Sequence, residues 1–302
     1  MPKPSSPPRH TPPQSAAPET IDPRWLLKAG AVVVAFALVC ALALFWTVFY
    51  YTQWQYVLTP SRTVATAPSS AGLSFSEVRF GVDATGQPQL DGWWIPADTS
   101  TSPTVLLLHT GDGSMSNSLS QARLFHDSNL NVLLFDYRGF GHSGGAHPTQ
   151  ALMQSDAESA LNYLRDIRHI DPSHIVVYGN GLGASLAVGL CANHHEIPAV
   201  ILESPLGDTE PQVLHDTRTR LVPVRMLFHE QFPLAAPLKT LATPKLLITT
   251  EESSGQEKLH QAADPKMIVT LGLIKDDDLL KSIRRFLDTY ISQSPIPLIT
   301  SH

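Results

Sequence analysis

Residues 176–185 read VVYGNGLGAS, and how this stretch is read decides the fold. Val176, Val177 and Tyr178 favour extended backbone. Gly179, Gly181 and Gly183 interrupt it at every second position, and the small residues that follow suit a helix lying close to its neighbours. The stretch is predicted to run strand, tight turn, helix, with Gly181 at the middle of the turn.

Outward from that turn the chain repeats the same alternation. TVLLLHT (104–110), NVLLFDYRG (131–139), HIVVYG (174–179), AVILESP (199–205), KLLITT (245–250) and KMIVTLG (266–272) are short apolar runs without polar alternation, as strands covered on both faces are. LSFSEVRFGV (73–82) and QLDGWWIPA (89–97) read as an antiparallel pair ahead of them. Between the runs, ALMQSDAESALNYLRDI places Met153, Ala157, Ala160, Leu161 and Leu164 on one helical face, and LLKSIRRFLDTYI does the same with Leu280, Ile283, Leu287 and Ile291. Strands alternating with such helices define an α/β fold, a mostly parallel sheet with helices on both faces. The Pro- and Leu-rich stretch 206–241, between the sixth and seventh strands, has no strand signal; it reads either as a cap or as a helical insertion that only packs.

The chain has 302 residues, 43% hydrophobic and 16% charged, enough for one main domain with extensions. A net charge of -6 without any Lys/Arg cluster argues against a nucleic-acid partner. Cys40 lies in the most apolar stretch and Cys191 in a helix expected to be buried, environments too unlike for a disulfide. His142, His147, His194 and His195 lack metal-ligand spacing and read as solvated loop residues, so neither metal nor cofactor is expected.

Residues 1–24 hold eight of the 25 prolines and read as a disordered tail. Residues 25–51 follow as a transmembrane helix: Ala29 to Tyr51 carries no charge over 23 residues, enough to span about 30 Å of hydrocarbon. Trp25 before it, and Trp46, Tyr50, Tyr51, Trp54 and Tyr56 at its far end, have the placing of interfacial aromatics. A signal peptide, the alternative, has a shorter apolar region, and ATA (65–67) is too far downstream to serve as its cleavage site. Arg24 and Lys28 precede the span while only Arg62 follows closely, so the tail is expected in the cytoplasm and the main domain outside it, in the periplasm if the cell is bacterial. Residues 52–72 read as a linker ending in the spacer TPSRTVATAPSSAG, residues 73–292 as the domain, and 293–302 as a tail.

PTVLLLHTGDG, VLLFDYRGFGHSGG, HIVVYGNGLGASLA and AVILESPL, in this order and spacing, resemble the α/β-hydrolase superfamily, in particular its small, single-span, membrane-anchored branch, over roughly residues 73–291. The resemblance implies a nucleophile elbow, G-x-S-x-G, after the fifth strand. Gly179 and Gly183 match its glycines, but the nucleophile position is Gly181. It implies an acid after the seventh strand, where Ser253 stands, and a histidine after the eighth, where Lys275 stands; no histidine occurs between His260 and His302. His109 matches the family's His-Gly element, whose loop supplies an oxyanion-hole N–H, but the next residue is Thr110 rather than glycine, with Gly111 after it.

Three triad positions have thus lost their chemistry together. Ser114, Ser185 and Ser204 with Asp208 read as capping or loop residues, and His109 as a strand-end residue bonding its own loop. Asp136 and Arg138 read as a structural pair. The leading expectation is a membrane-anchored α/β-hydrolase fold that is catalytically inactive and binds a small acyl or peptide ligand or another protein. The alternatives are an active esterase, lipase or peptidase with a non-standard nucleophile, and an envelope protein with a purely structural role.

Overall fold

The computed structural model describes residues 23–291 apart from 84, 100, 251–258 and 272–275, and it divides after Val48 into two compact units. The described part of the first unit lies in α1 (Pro23–Thr52), whose opening proline sits where a helix has no use for an N–H. This helix is long and apolar enough to cross a membrane, and side chains such as Val32, Phe36 and Leu44 are exposed along it.

In the second unit, eight strands form one sheet: β1 (Ser76–Val82), β2 (Pro88–Ile95), β3 (Thr104–Leu108), β4 (Asn131–Asp136), β5 (Ile175–Asn180), β6 (Ala199–Glu203), β7 (Lys245–Thr250) and β8 (Lys266–Leu271). Their order across the sheet is β1-β2-β4-β3-β5-β6-β7-β8. β2 pairs antiparallel with β1 and β4, and every other pairing is parallel. This is the mostly parallel α/β sheet the alternating runs imply. Leu106, Leu108, Leu133, Phe135 and Val177 face one core, while Val105, Leu107, Val132, Leu134 and Val176 face a second. Both faces are buried, which is why the runs lack polar alternation.

α3 (Gln150–Asn162) and α4 (Gly183–Asn193) cover the first face. Thr149 caps α3 by accepting the Leu152 N–H at 3.2 Å, and Met153, Ala157, Ala160, Leu161 and Leu164 are buried as their spacing predicts. α2 (Leu119–His126) and α8 (Asp276–Tyr290) cover the second, where Phe125, Ile283 and Phe286 are buried. Between β6 and β7 the chain makes three short helices, α5 (Glu210–His215), α6 (Val224–Leu227) and α7 (Ala235–Leu238). This segment is fastened to the helix layer: Gln150 Oε1 accepts the Phe232 N–H at 2.8 Å, and Ser185 Oγ donates to the Pro233 carbonyl at 2.9 Å.

Much of residues 52–72, expected as a spacer, is built into the second unit instead. Leu58 is 1% exposed in the main core, and Thr59–Pro60 pair in parallel with Asp112–Gly113 of the loop after β3. Ser61 accepts the Gly141 N–H at 2.8 Å and Arg62 donates to the Ser143 carbonyl at 2.6 Å. Main-chain groups with such partners are fixed however polar and small the side chains beside them are.

Candidate functional site

β3 is flanked by β4 on one side and β5 on the other, so the chain switches direction across the sheet at this point. The carboxyl ends of β3, β5 and β6 open a crevice there, the usual ligand position in such sheets. The turn after β5 occupies it. Gly181 has φ of +56°, in the left-handed region, and its N–H donates to the Glu203 carbonyl at 3.1 Å while its own carbonyl accepts from Leu206 at 2.9 Å. Gly179 and Gly183 allow strand and helix to meet. A Cβ on Gly183 would stand 2.2 Å from the Leu108 carbonyl oxygen, and one on Gly179 would stand 2.5 Å from the Gly183 carbonyl oxygen. The elbow is present in full as backbone.

Its side-chain position is occupied by a neighbour. A Cβ on Gly181 would lie 2.6 Å from Thr110 Oγ1 and 3.0 Å from Thr110 Cβ. Thr110, in the place where the resemblance implies glycine, thus crowds the position a side chain on Gly181 would take. The sequence shows both positions singly; only the structure shows that they meet. Gly111 completes this loop between Leu58 and Leu182, and its carbonyl accepts the Thr59 N–H at 2.9 Å.

His109 is buried, its ring 4.5 Å from that of Tyr137 and 5.3 Å from that of Phe140. Nδ1 lies 2.8 Å from the Thr110 carbonyl oxygen, which only accepts, so Nδ1 carries the hydrogen and Nε2 is bare. The ring does bond its own loop, as the sequence suggests. Nε2 faces Asp136 Oδ1 at 3.7 Å, and Oδ1 also accepts the Met115 N–H at 2.6 Å. His109 Nε2 and Asp136 Oδ2 are buried without a hydrogen-bond partner among the described residues. Burial lowers the His109 pKa to about 4, and burial raises that of Asp136 to about 7. The two are therefore a buried neutral histidine beside a carboxyl that holds its proton up to neutrality, rather than an ion pair.

Asp136 and Arg138 do not pair. Arg138 donates through Nε to Asp156 Oδ1 at 2.6 Å and through its backbone N–H to Oδ2 at 2.8 Å, tying the turn after β4 to α3. The strand ends at Asp136 and Arg138 stands in the turn beyond it, so strand alternation does not set the direction of its side chain.

The remaining hydroxyls are structural. Ser114 Oγ donates to the Thr63 carbonyl at 3.1 Å and meets Ser116 Oγ, and Ser185 is held by Pro233. None of Ser114, Ser185 and Ser204 is hydrogen-bonded to a histidine among the described residues. Ser253 and Lys275 lie outside the described residues. His194 is not solvated as expected: it bonds Glu158 at 2.7 Å and Glu196 at 3.1 Å, joining α3 to the end of α4. His147 stacks on Trp54 with ring planes 2° apart. Cys40 and Cys191 are both free, and no metal-binding cluster occurs among the described residues. Two features escaped sequence reasoning: the Thr110 side chain at the elbow, and Glu203, whose carboxylate accepts from the buried Tyr178 hydroxyl beside it.

A cavity of about 410 Å³ adjoins the elbow, lined by Leu206, Asp208, Gln212, Leu234, Ala235 and Leu259 among others. Leu206 on its wall donates its N–H to the Gly181 carbonyl at 2.9 Å. Apolar walls with one carboxylate and one amide suit an organic ligand with a polar end.

A sheet of this order with an elbow at the end of β5 defines an α/β-hydrolase fold. The chain belongs to the serine aminopeptidase S33 family, whose Hydrolase_4 model matches residues 99–271, more than half its length. It is 28% identical over 276 residues to the uncharacterized protein MT2364 of Mycobacterium tuberculosis (strain CDC 1551 / Oshkosh), covering 86% of this chain and 95% of that one. It is 39% identical over 104 residues to the protein bem46 of Schizosaccharomyces pombe, covering 34% of each. Among solved structures it resembles the Pyrococcus furiosus esterase Pf2001, with a TM-score of 0.58 and 20% identity over 78% of this chain and 98% of that one.

Proposed function

We propose that this is a membrane-anchored member of the family without serine-hydrolase chemistry, whose crevice is kept for binding a small acyl or peptide ligand or a partner protein. The observation that carries the reading is the elbow. Its turn glycine has φ +56°, its centre carries no side chain, and the Thr110 hydroxyl comes within 2.6 Å of where a nucleophile's Cβ would stand. Serine chemistry needs an oxygen at that point, a base beside it and a group to orient the base. His109 faces the core, and the positions of acid and base carry Ser253 and Lys275. The cavity beside Leu206 and Leu234 supports a binding role.

The apolar, charge-free helix supports anchoring, and Arg24 and Lys28 ahead of it support a cytoplasmic N-terminus with the domain across the membrane. Family membership favours a second reading, an active hydrolase with a non-standard nucleophile. Incubating the detergent-solubilised full chain with a fluorophosphonate probe separates the two. No labelled residue is expected; stoichiometric labelling of a Ser or Thr would establish the second reading. A thermal-shift screen with fatty acids and short peptides tests binding, with a rise in Tm expected for a ligand of the crevice.

A further inference from the structure

We propose that the outer side of residues 213–228 is a membrane-interfacial surface, seated in the headgroup region of the same bilayer that α1 enters; this rests on the anchor reading above. The inner side of this segment is already committed. Val213, Val222, Val224 and Phe228 are buried with Phe49, and Tyr56 and Val57 pack against that cluster. Gln53, itself buried, donates to the Leu227 carbonyl at 3.2 Å and accepts the His229 N–H at 2.6 Å. The Tyr50 ring meets His229 edge-on, and the Arg218 guanidinium lies 4.6 Å over the Tyr56 ring. These short helices therefore clasp residues 49–57, the chain that continues directly from the charge-free run ending at Tyr51. At 1.5 Å per helical residue, a surface fixed to Phe49, Tyr50 and Gln53 is held within about one turn of the end of that run.

The outer side carries what such a location calls for. Leu221 is 69% exposed and Met226 79%, with Leu214 also exposed on the same segment. From Phe49 onward, every large exposed apolar side chain among the described residues belongs to Tyr50, Tyr51 or the 206–226 stretch, apart from Val82 and Ile167. An apolar group this concentrated marks a contact surface. Exposed Arg220 and Arg225 stand next to Leu221 and Met226 in sequence, cations suited to lipid phosphates while the apolar tips enter the acyl boundary. Arg225 has only a loose contact with Glu210, at 3.9 Å, and Arg220 has no ion pair among the described residues.

The test uses the full chain carrying Cys40→Ala, reconstituted in phosphatidylcholine–phosphatidylglycerol vesicles; Cys191 is buried and stays. Leu221→Cys or Met226→Cys is labelled with an environment-sensitive fluorophore and challenged with lipids bearing a quencher on the acyl chain. Val82→Cys and Ile167→Cys, exposed to a similar degree, are the comparison sites. Labels at 221 and 226 are expected to be quenched about threefold more than those at 82 and 167. Equal quenching at all four sites overturns the proposal. A label at Leu38→Cys, within α1, identifies which reading has failed. If it is quenched while 221 and 226 are not, this surface alone is wrong; if it is not quenched, the anchor reading falls and takes this one with it.

Discussion

Gly181 holds a conformation that costs a side-chain-bearing residue about 1–3 kcal/mol, and Thr110 crowds the position that side chain would take. Gly181→Ser should therefore destabilise the protein by about that amount, and Thr110→Gly in the same chain should recover part of the loss. Thermal or urea unfolding of the four combinations measures the coupling; strict additivity would show that the two positions do not compete for space. On the proposed reading, in which Ser253 and Lys275 stand at the acid and base positions, neither Gly181→Ser nor the double variant should hydrolyse p-nitrophenyl esters above background. The buried pair beside this loop gives a pH signature. His109, depressed to about 4 from 6.5, contributes stability present above pH 6.5 and lost as pH falls towards 4. Asp136, raised from 3.8 to about 7, contributes stability present below pH 3.8 and lost as pH rises towards 7. Between these limits the slopes oppose one another. Asp136→Asn leaves the histidine slope alone, so its Tm should fall relative to the parent on going from pH 6.5 to 4.5. His109→Gln leaves the carboxyl slope, and its Tm should fall relative to the parent as pH rises over the same range. Parallel Tm–pH curves for all three chains would refute the pair.

Elements meet at the turn after β5, and there the tolerance is smallest. Gly183 lets α4 start against β3, with a virtual Cβ 2.2 Å from the backbone oxygen of Leu108, which cannot rotate away. Gly183→Ala should cost roughly 3 kcal/mol or more because strand or helix must move, whereas the same change at an exposed helical site stabilises by about 0.5–1 kcal/mol. The midpoint of urea unfolding measures it; a loss under about 1 kcal/mol would mean the junction yields freely. Elements were also what the sequence showed most clearly. The runs from Thr104 to Thr249 are strands because both faces of each are buried, a condition written directly into their composition, while the edge run 266–270 is only half-buried. Gly179 and Gly183 were legible for a similar reason, since close packing tolerates nothing larger. The Thr110–Gly181 contact was not legible, because it joins residues 71 positions apart that meet only after β3 and β5 are neighbours. The partner of Arg138 was hidden in the same way, on α3.

For the molecule as a whole, composition misplaced the start of the domain. TPSRTVATAPSSAG looks like a spacer because its side chains are small and polar, yet its main chain bonds the loop after β3 and the Gly141 turn. Side-chain composition reports what can be buried, and backbone pairing leaves no trace in it. Leu58 in the core and Gln53 on Leu227 and His229 extend the same attachment back to the end of α1. A fragment beginning at Leu73 therefore loses one buried leucine, worth about 2 kcal/mol, together with the hydrogen bonds that hold the Gly111 loop. It also strips the cover from Val213, Val222 and Phe228. A fragment beginning at Phe49 keeps all of these. Compared in the same mild detergent, the Phe49 fragment should unfold cooperatively, and the Leu73 fragment should unfold at a Tm lower by roughly 5 °C or more, or fail to fold. Equal midpoints would mean that residues 49–72 only rest on the domain.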